Sequence, residues 1–252
     1  MDSDNDPATN ESDKTPWSPF EHLPDALPVL RDYEIRQKLL QWNLSDALHL
    51  QRFLVHRRLP SEADEALLAE FFQDHTVHQI LPLPEHVNSN AESSSKAFSL
   101  HFERLRVSVT SLAFFEKLES AGIVARDGSV RGCIDEDFDG CTAGDLLTEM
   151  LVNPDSDNCD VFSEQDKQEF IFLLFSTLII GGGALRQADS RVQAYENVTR
   201  ELYHIEITSR VYRVSGDALF HASLSRFHSC FAIVDARKRW LTVWYCPFRA
   251  SW

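Results

Sequence analysis

The run Phe170-Ile171-Phe172-Leu173-Leu174-Phe175, continued by Leu178-Ile179-Ile180, is apolar on every side of a helix. Such a helix is stable in water only with protein packed all round it, so the chain must build layers about a buried helix. Ser163 and Asp166, just upstream, have the spacing of a capping box, and Gly181-Gly182-Gly183 supplies a stop. With Ser176 and Thr177 inside it, the apolar run is too short to cross a bilayer, which needs about 20 apolar residues. A chain of 252 residues, 43% hydrophobic and 25% charged, can supply the surrounding core.

The rest of the chain divides by pattern. Residues 1–19 are acidic and polar and are expected to form a disordered tail, because they cannot bury enough apolar surface to offset the entropy of ordering. Residues 20–87 read as helical. Ile35, Leu39 and Trp42 recur at helical spacing behind Asp32 as N-cap, and Ser61 and Asp64 resemble a capping box ahead of the stripe Leu67, Leu68, Phe71 and Phe72. Residues 88–97 form a polar loop. Residues 98–252 read as an α+β core, forming one compact domain with the helical part.

Within that core Phe98, Leu100 and Phe102 alternate, then Leu105, Val107 and Val109 alternate in opposite phase, which predicts two strands broken at Glu103-Arg104. Asp127-Gly128 marks a hairpin turn. Thr142 and Asp145 have capping-box spacing before Leu146, Leu147 and Met150, and Val192 to Tyr203 reads as a further helix. The C-terminus turns to strand composition over Ile205–Val214, Cys230–Val234 and Trp240–Cys246. The fold class expected is α+β: N-terminal helices, a central mixed region with a buried helix, and a C-terminal antiparallel sheet.

Net charge is −15, from 24 basic and 39 acidic residues. Such a field repels phosphate backbones and anionic lipid, so neither nucleic acid nor membrane is expected as a partner. Five scattered cysteines do not form a secreted disulfide framework. The N-terminus, with Asp2, Asp4, Asp6, Glu11 and Asp13, lacks the basic and apolar regions of a signal peptide. A reduced, aqueous compartment is expected.

Several motifs invite chemistry. Asp135-Glu136-Asp137-Phe138-Asp139-Gly140 matches the start of a calcium-binding EF-hand loop. Leu146, however, stands where a bidentate Glu should close the coordination sphere, which favours a solvated acidic loop. Gly181-Gly182-Gly183-Ala184 lacks the lysine and following hydroxyl of a phosphate-binding loop and fits a helix stop better. His75 with His78, and His228 with Cys230, are lone pairs where a structural zinc site needs four ligands. Gly128-Ser129-Val130-Arg131-Gly132 has the wrong spacing for a nucleophile elbow. No catalytic, metal or cofactor-binding residue is therefore assigned, and a non-enzymatic role is expected. The alternative kept open is a small-molecule-binding protein or enzyme using the glycine turn 181–183 or the acidic loop 135–139.

One feature invites binding. Arg237, Lys238 and Arg239 are the densest basic cluster in an acidic chain, at the turn between two C-terminal strands. Trp240, Thr242 and Trp244 share one strand parity, so one face of that hairpin can be core while its tip meets an acidic partner. A solubilising turn over a core strand explains the same residues.

A series of segments runs through the chain: Ser111-Leu112-Ala113-Phe114-Phe115-Glu116-Lys117-Leu118, Ile123-Val124-Ala125-Arg126-Asp127, and Phe162-Ser163-Glu164-Gln165-Asp166-Lys167-Gln168-Glu169-Phe170. Gly182-Gly183-Ala184-Leu185, Ile207-Thr208-Ser209-Arg210-Val211-Tyr212-Arg213-Val214-Ser215 and Phe231-Ala232-Ile233-Val234-Asp235 continue it. Taken in order, these segments resemble the cilia- and flagella-associated protein 300 family. The resemblance implies a cytoplasmic and ciliary factor needed for assembly or transport of outer and inner dynein arms. It also implies action with dynein preassembly factors such as kintoun, and entry into cilia with intraflagellar transport. The family brings no catalytic residues. A structural axonemal component is a further reading. Two departures stand out: the acidic loop is not a metal motif of the family, and the stretch between Tyr203 and Ile205 is shorter than in relatives.

Overall fold

The computed structural model describes residues 18–24, 27–59, 63–84, 100–109, 111–134, 142–183, 191–203, 209–216, 219–220 and 228–247. The expected tail up to residue 17, the polar loop 88–97 and the acidic loop 135–139 lie outside the described residues.

The N-terminal third holds β1 (Phe20–His22), α1 (Tyr33–Gln41), β2 (His49–Val55), α2 (Asp64–Gln73) and α3 (His75–Ile80). The middle holds β3 (His101–Arg104), α4 (Glu116–Ser120), β4 (Gly132–Ile134), β5 (Thr142–Asp145), α5 (Leu146–Val152), α6 (Glu164–Lys167) and α7 (Phe170–Gly183). The C-terminal part is α8 (Val192–Leu202), β6 (Ser209–Ser215), β7 (Ser229–Asp235) and β8 (Trp240–Cys246). Six strands make one sheet in the order β1-β2-β8-β7-β6-β3, antiparallel at every pairing, and β4 with β5 makes a separate ribbon. The α+β class read from the sequence is the class observed.

Helices cover both faces of the sheet. On one face Leu50, Val211, Phe231, Trp244 and Cys246 pack with α1, α5, α7 and α8. On the other Phe53, Val55, Tyr212, Val234, Leu241, Val243 and Tyr245 pack with α2 and α3. Phe71 of α2 meets Phe20, Phe53 and Phe72 edge-on, with ring centroids 5.1, 4.9 and 5.3 Å away. Each such aromatic pair contributes about 1 kcal/mol beyond its burial.

The helix α7 is buried nearly all round, as its composition demands: Phe170, Ile171, Phe172, Leu174, Phe175, Leu178 and Ile179 are all core residues. Leu173, Ser176, Thr177 and Ile180 are partly buried. Ser163 and Asp166 do form a capping box, though it closes the single turn α6 ahead of α7. Asp32 caps α1 through the Ile35 amide at 3.0 Å. Gly128, at φ +82, makes the tight turn that lets Val124 bridge Val130.

Three sequence expectations change. Residues 20–87 carry two strands as well as helices. β2 is inserted beside β8, from His49 opposite Tyr245 to Leu54 opposite Trp240. A strand covered on both faces loses clean alternation, so its seven residues carry no period-2 signal. Over residues 100–109 there is one strand, not two: β3 runs through Glu103-Arg104, where a break was expected, Leu105 still donates to the Val211 carbonyl at 2.8 Å, and Arg106 then bridges Glu169 at the start of α7. Finally, Thr142 lies in β5, and Asp145 itself caps α5 by accepting the Thr148 amide at 2.6 Å.

Candidate functional site

Arg237, Lys238 and Arg239 occupy the turn joining β7 to β8. Asp235 shapes this turn: its Oδ1 accepts the backbone amides of Arg237 and Lys238, both at 3.0 Å. Arg239 closes it in the left-handed region, at φ 57. Arg237 and Arg239 are exposed, and their side chains make no ion pair among the described residues. Lys238 differs. It is half-buried, with Nζ 4.7 Å from the ring centroid of Trp240.

The shared parity of Trp240, Thr242 and Trp244 holds in the fold, and Arg52 of β2 joins them. Arg52, directly opposite Thr242, donates from Nε to Thr242 Oγ1 at 2.9 Å. Its guanidinium carbon lies 4.5 Å from the Trp240 centroid, a cation–π contact at a side chain only 9% exposed. Trp244 goes deeper, where Nε1 donates to Ser229 Oγ at 3.0 Å.

A second basic run arrives at the same end of the sheet. The Val55 amide donates to the Arg239 carbonyl at 2.8 Å, so His56-Arg57-Arg58 leaves β2 beside the turn. His56 pairs with Glu21 at 2.7 Å and Arg57 with Glu70 at 2.5 Å. Arg58 is exposed and makes no ion pair among the described residues. The run His56-Arg57-Arg58 is visible in the sequence. Its nearness to Arg237-Lys238-Arg239 depends on the pairing of β2 with β8, which a helical reading of residues 20–87 hides.

Next to the turn, on the face carrying Trp240 and Thr242, lies a groove of about 770 Å³. One wall is the segment Leu27 to Ile35, a 3-10 turn leading into α1; the other is the end of α8 at Asn197, Arg200 and Glu201. Ile233, Trp240 and Asp235 contribute to its floor. Most of its carboxylates already have work: Asp32 caps α1, Asp235 holds the turn, and Glu201 pairs with Arg200 at 3.1 Å.

The other motifs come to less. His78 donates to the Phe72 carbonyl at 2.8 Å, and burial, outweighing that carbonyl and Asp74, lowers its pKa; His75 pairs instead with Gln79 at 3.1 Å. His228 stacks on Phe220 with centroids 4.3 Å apart. Among the described residues no group of three or more His, Cys, Asp or Glu is placed to hold a metal ion. Cys230 and Cys246 are buried free thiols, and burial pushes Cys246 up to about 12 and Cys230 higher still. Gly181-Gly182-Gly183 is the last turn of α7, so a helix precedes it where a phosphate-binding loop needs a strand. No helix among the described residues is long and apolar enough to cross a membrane.

Comparison with known proteins gives a consistent picture. No solved structure matches the chain. The cilia- and flagella-associated protein 300 of Chlamydomonas reinhardtii is 24% identical over 254 residues, covering 91% of this chain and 98% of that protein. The protein of the same name from Paramecium tetraurelia is 29% identical over 184 residues, 73% of this chain and 70% of that one. The family model described as cilia- and flagella-associated protein 300 matches residues 17–246, a span that includes every strand and helix described above. The chain belongs to the cilia- and flagella-associated protein 300 family.

Proposed function

We propose that this protein is a non-enzymatic factor in the assembly or transport of axonemal outer and inner dynein arms, and that it acts by binding other proteins at the basic end of its sheet. The observation that carries the binding part is local charge. Exposed Arg58, Arg237 and Arg239, without ion pairs among the described residues, gather at one end of a chain whose net charge is −15. A concentrated positive patch on an acidic body steers acidic partners to one place and orients them. Membership of a family named for cilia and flagella supports the setting. Its partners are then dynein preassembly factors such as kintoun in the cytoplasm, and the intraflagellar transport machinery in the cilium.

Removing the gene from a flagellated cell is expected to leave axonemes short of outer and inner arms and weakly motile. A full complement of arms by electron microscopy overturns the proposal. Re-expressing the chain with Arg237→Glu, Lys238→Glu and Arg239→Glu is expected to leave the arms missing although the protein accumulates.

A further inference from the structure

The groove beside Trp240 and the basic turn are one continuous feature. Asp235 and Lys238 belong to both, so any chain seated in the groove lies within a residue or two of Arg237 and Arg239. The groove offers apolar surface from Leu27, Val29 and Ile233, each only partly buried, together with the half-buried indole of Trp240. Its volume of about 770 Å³ suits one or two large side chains. The charges are sorted. Asp32, Asp235 and Glu201 are turned to backbone amides or to Arg200, and Glu34 is the one lining carboxylate not so engaged, whereas Arg237 and Arg239 are exposed without ion pairs among the described residues.

We infer that groove and turn form a composite docking site for an acidic segment of a partner protein that carries an aliphatic or aromatic anchor. The anchor enters between Leu27, Val29 and Ile233, and flanking carboxylates pair with Arg237 and Arg239. The inference rests on the protein-binding reading above and names the chemistry of the partner. An apolar anchor supplies affinity that rim charges alone lack, while the charges set approach and register. A polyphosphate is a poor occupant, because it has no apolar group to set against Leu27, Val29 and Ile233.

The test uses the full chain and a fluorescein-labelled synthetic peptide in which Asp and Glu flank a central Leu-Phe pair, followed by fluorescence anisotropy. Binding is expected, weakening as salt is raised. Arg237→Glu with Arg239→Glu is expected to weaken it about tenfold, and Val29→Asp, which sets a carboxylate in the groove, by about as much. Arg237→Ala with Arg239→Ala is the gentler second variant, at exposed positions where folding is not at risk, and circular dichroism confirms the fold of each. Failure of the wild type to bind overturns the inference, as does equal binding of a peptide with Ser in place of Leu-Phe or with Asn and Gln in place of the acids. If the peptide binds only after residues 1–17 are removed, the occupant is the chain's own acidic segment and the external partner is overturned. The two proposals separate cleanly. No peptide binding by a protein whose loss removes dynein arms sinks only the docking site, and peptide binding by a protein whose loss leaves arms intact sinks only the function.

Discussion

The backbone amide of Val55 donates to the carbonyl of Arg239 at 2.8 Å, tying the last residue of β2 to the last residue of the β7–β8 turn. This bond joins positions far apart in the chain and sets two basic runs side by side. It also holds Arg239 at φ 57, a conformation that costs an L-residue about 1 kcal/mol. The turn is thus both the candidate contact surface and a point of mild strain.

Arg239→Gly relieves that strain at an exposed side chain. Its added unfolded-state entropy offsets part of the gain, so stability is expected to stay level or rise by up to about 1 kcal/mol. Arg239→Val, β-branched and poorly suited to positive φ, is expected to lower it by about 1 kcal/mol or more. Urea unfolding midpoints of the two variants should therefore fall on opposite sides of Arg239→Ala.

Asp64 offers a stronger test, because it is buried and pairs with Arg210 through both carboxylate oxygens, one of which also accepts the Tyr212 hydroxyl. Asp64→Ala strands a nearly buried guanidinium and is expected to cost about 3 kcal/mol, whereas Asp64→Glu, with a displaced carboxylate, should recover only part of that. Thermal melting measures both.

Alkaline pH should report on two tyrosines. Burial chiefly, helped by the Asp64 hydrogen bond, pushes Tyr212 up to about 12; burial and then the charge of Glu169 push Tyr203 up to about 12. Both pKa values lie above the ordinary 10, so the folded state holds these protons more tightly than the unfolded state. Their contribution is complete below pH 10 and is lost as pH rises towards 12. Unfolding free energy measured across this window should fall, and fall less steeply in Tyr203→Phe. A flat profile in the wild type would contradict the prediction.

Glu169 holds the chain between β3 and α4 onto the start of α7. Its carboxylate accepts the Ser108 amide at 3.0 Å, the Ser108 hydroxyl, and the Val109 amide at 3.4 Å, and it meets Arg106 Nε at 3.3 Å. Glu169→Ala is expected to cost about 2 to 3 kcal/mol and to speed hydrogen exchange at Ser108 and Val109. Unchanged protection at those amides would show that the segment is held by other contacts.

Ser176 sits in the apolar helix α7 with its Oγ buried and no hydrogen-bond partner among the described residues. Ser176→Ala removes an unsatisfied hydroxyl and improves helix propensity. It is expected to stabilise the protein by about 1 kcal/mol, seen as a higher melting temperature.

Much of the local structure was legible because its causes are local. Asp32 caps α1 and Gly128 turns the chain through contacts within a few residues, and both are plain in the sequence. The partner of Asp64 was not. Its spacing from Ser61 suggests a capping box, but its carboxylate turns to Arg210 and Tyr212 on a strand that reaches α2 only through the assembled sheet. β2 was hidden for a related reason: Arg52 points inward because Trp240 and Thr242 are there to receive it, which blurs the alternation that marks a strand.

The same division applies to the candidate site. The sequence alone singled out Arg237, Lys238 and Arg239 as a basic turn, required a buried α7, and carried a family resemblance in the order of its segments. Tertiary structure decided the rest: Lys238 lies back on Trp240, the chain leading to Arg58 leaves β2 at the same end of the sheet as Arg237 and Arg239, and a groove opens between α1 and α8 beside the turn. Periodicity and caps record forces that act within one or two turns of chain. A surface made from β2, the β7–β8 turn and two helices exists only once non-local strand pairing brings those pieces together.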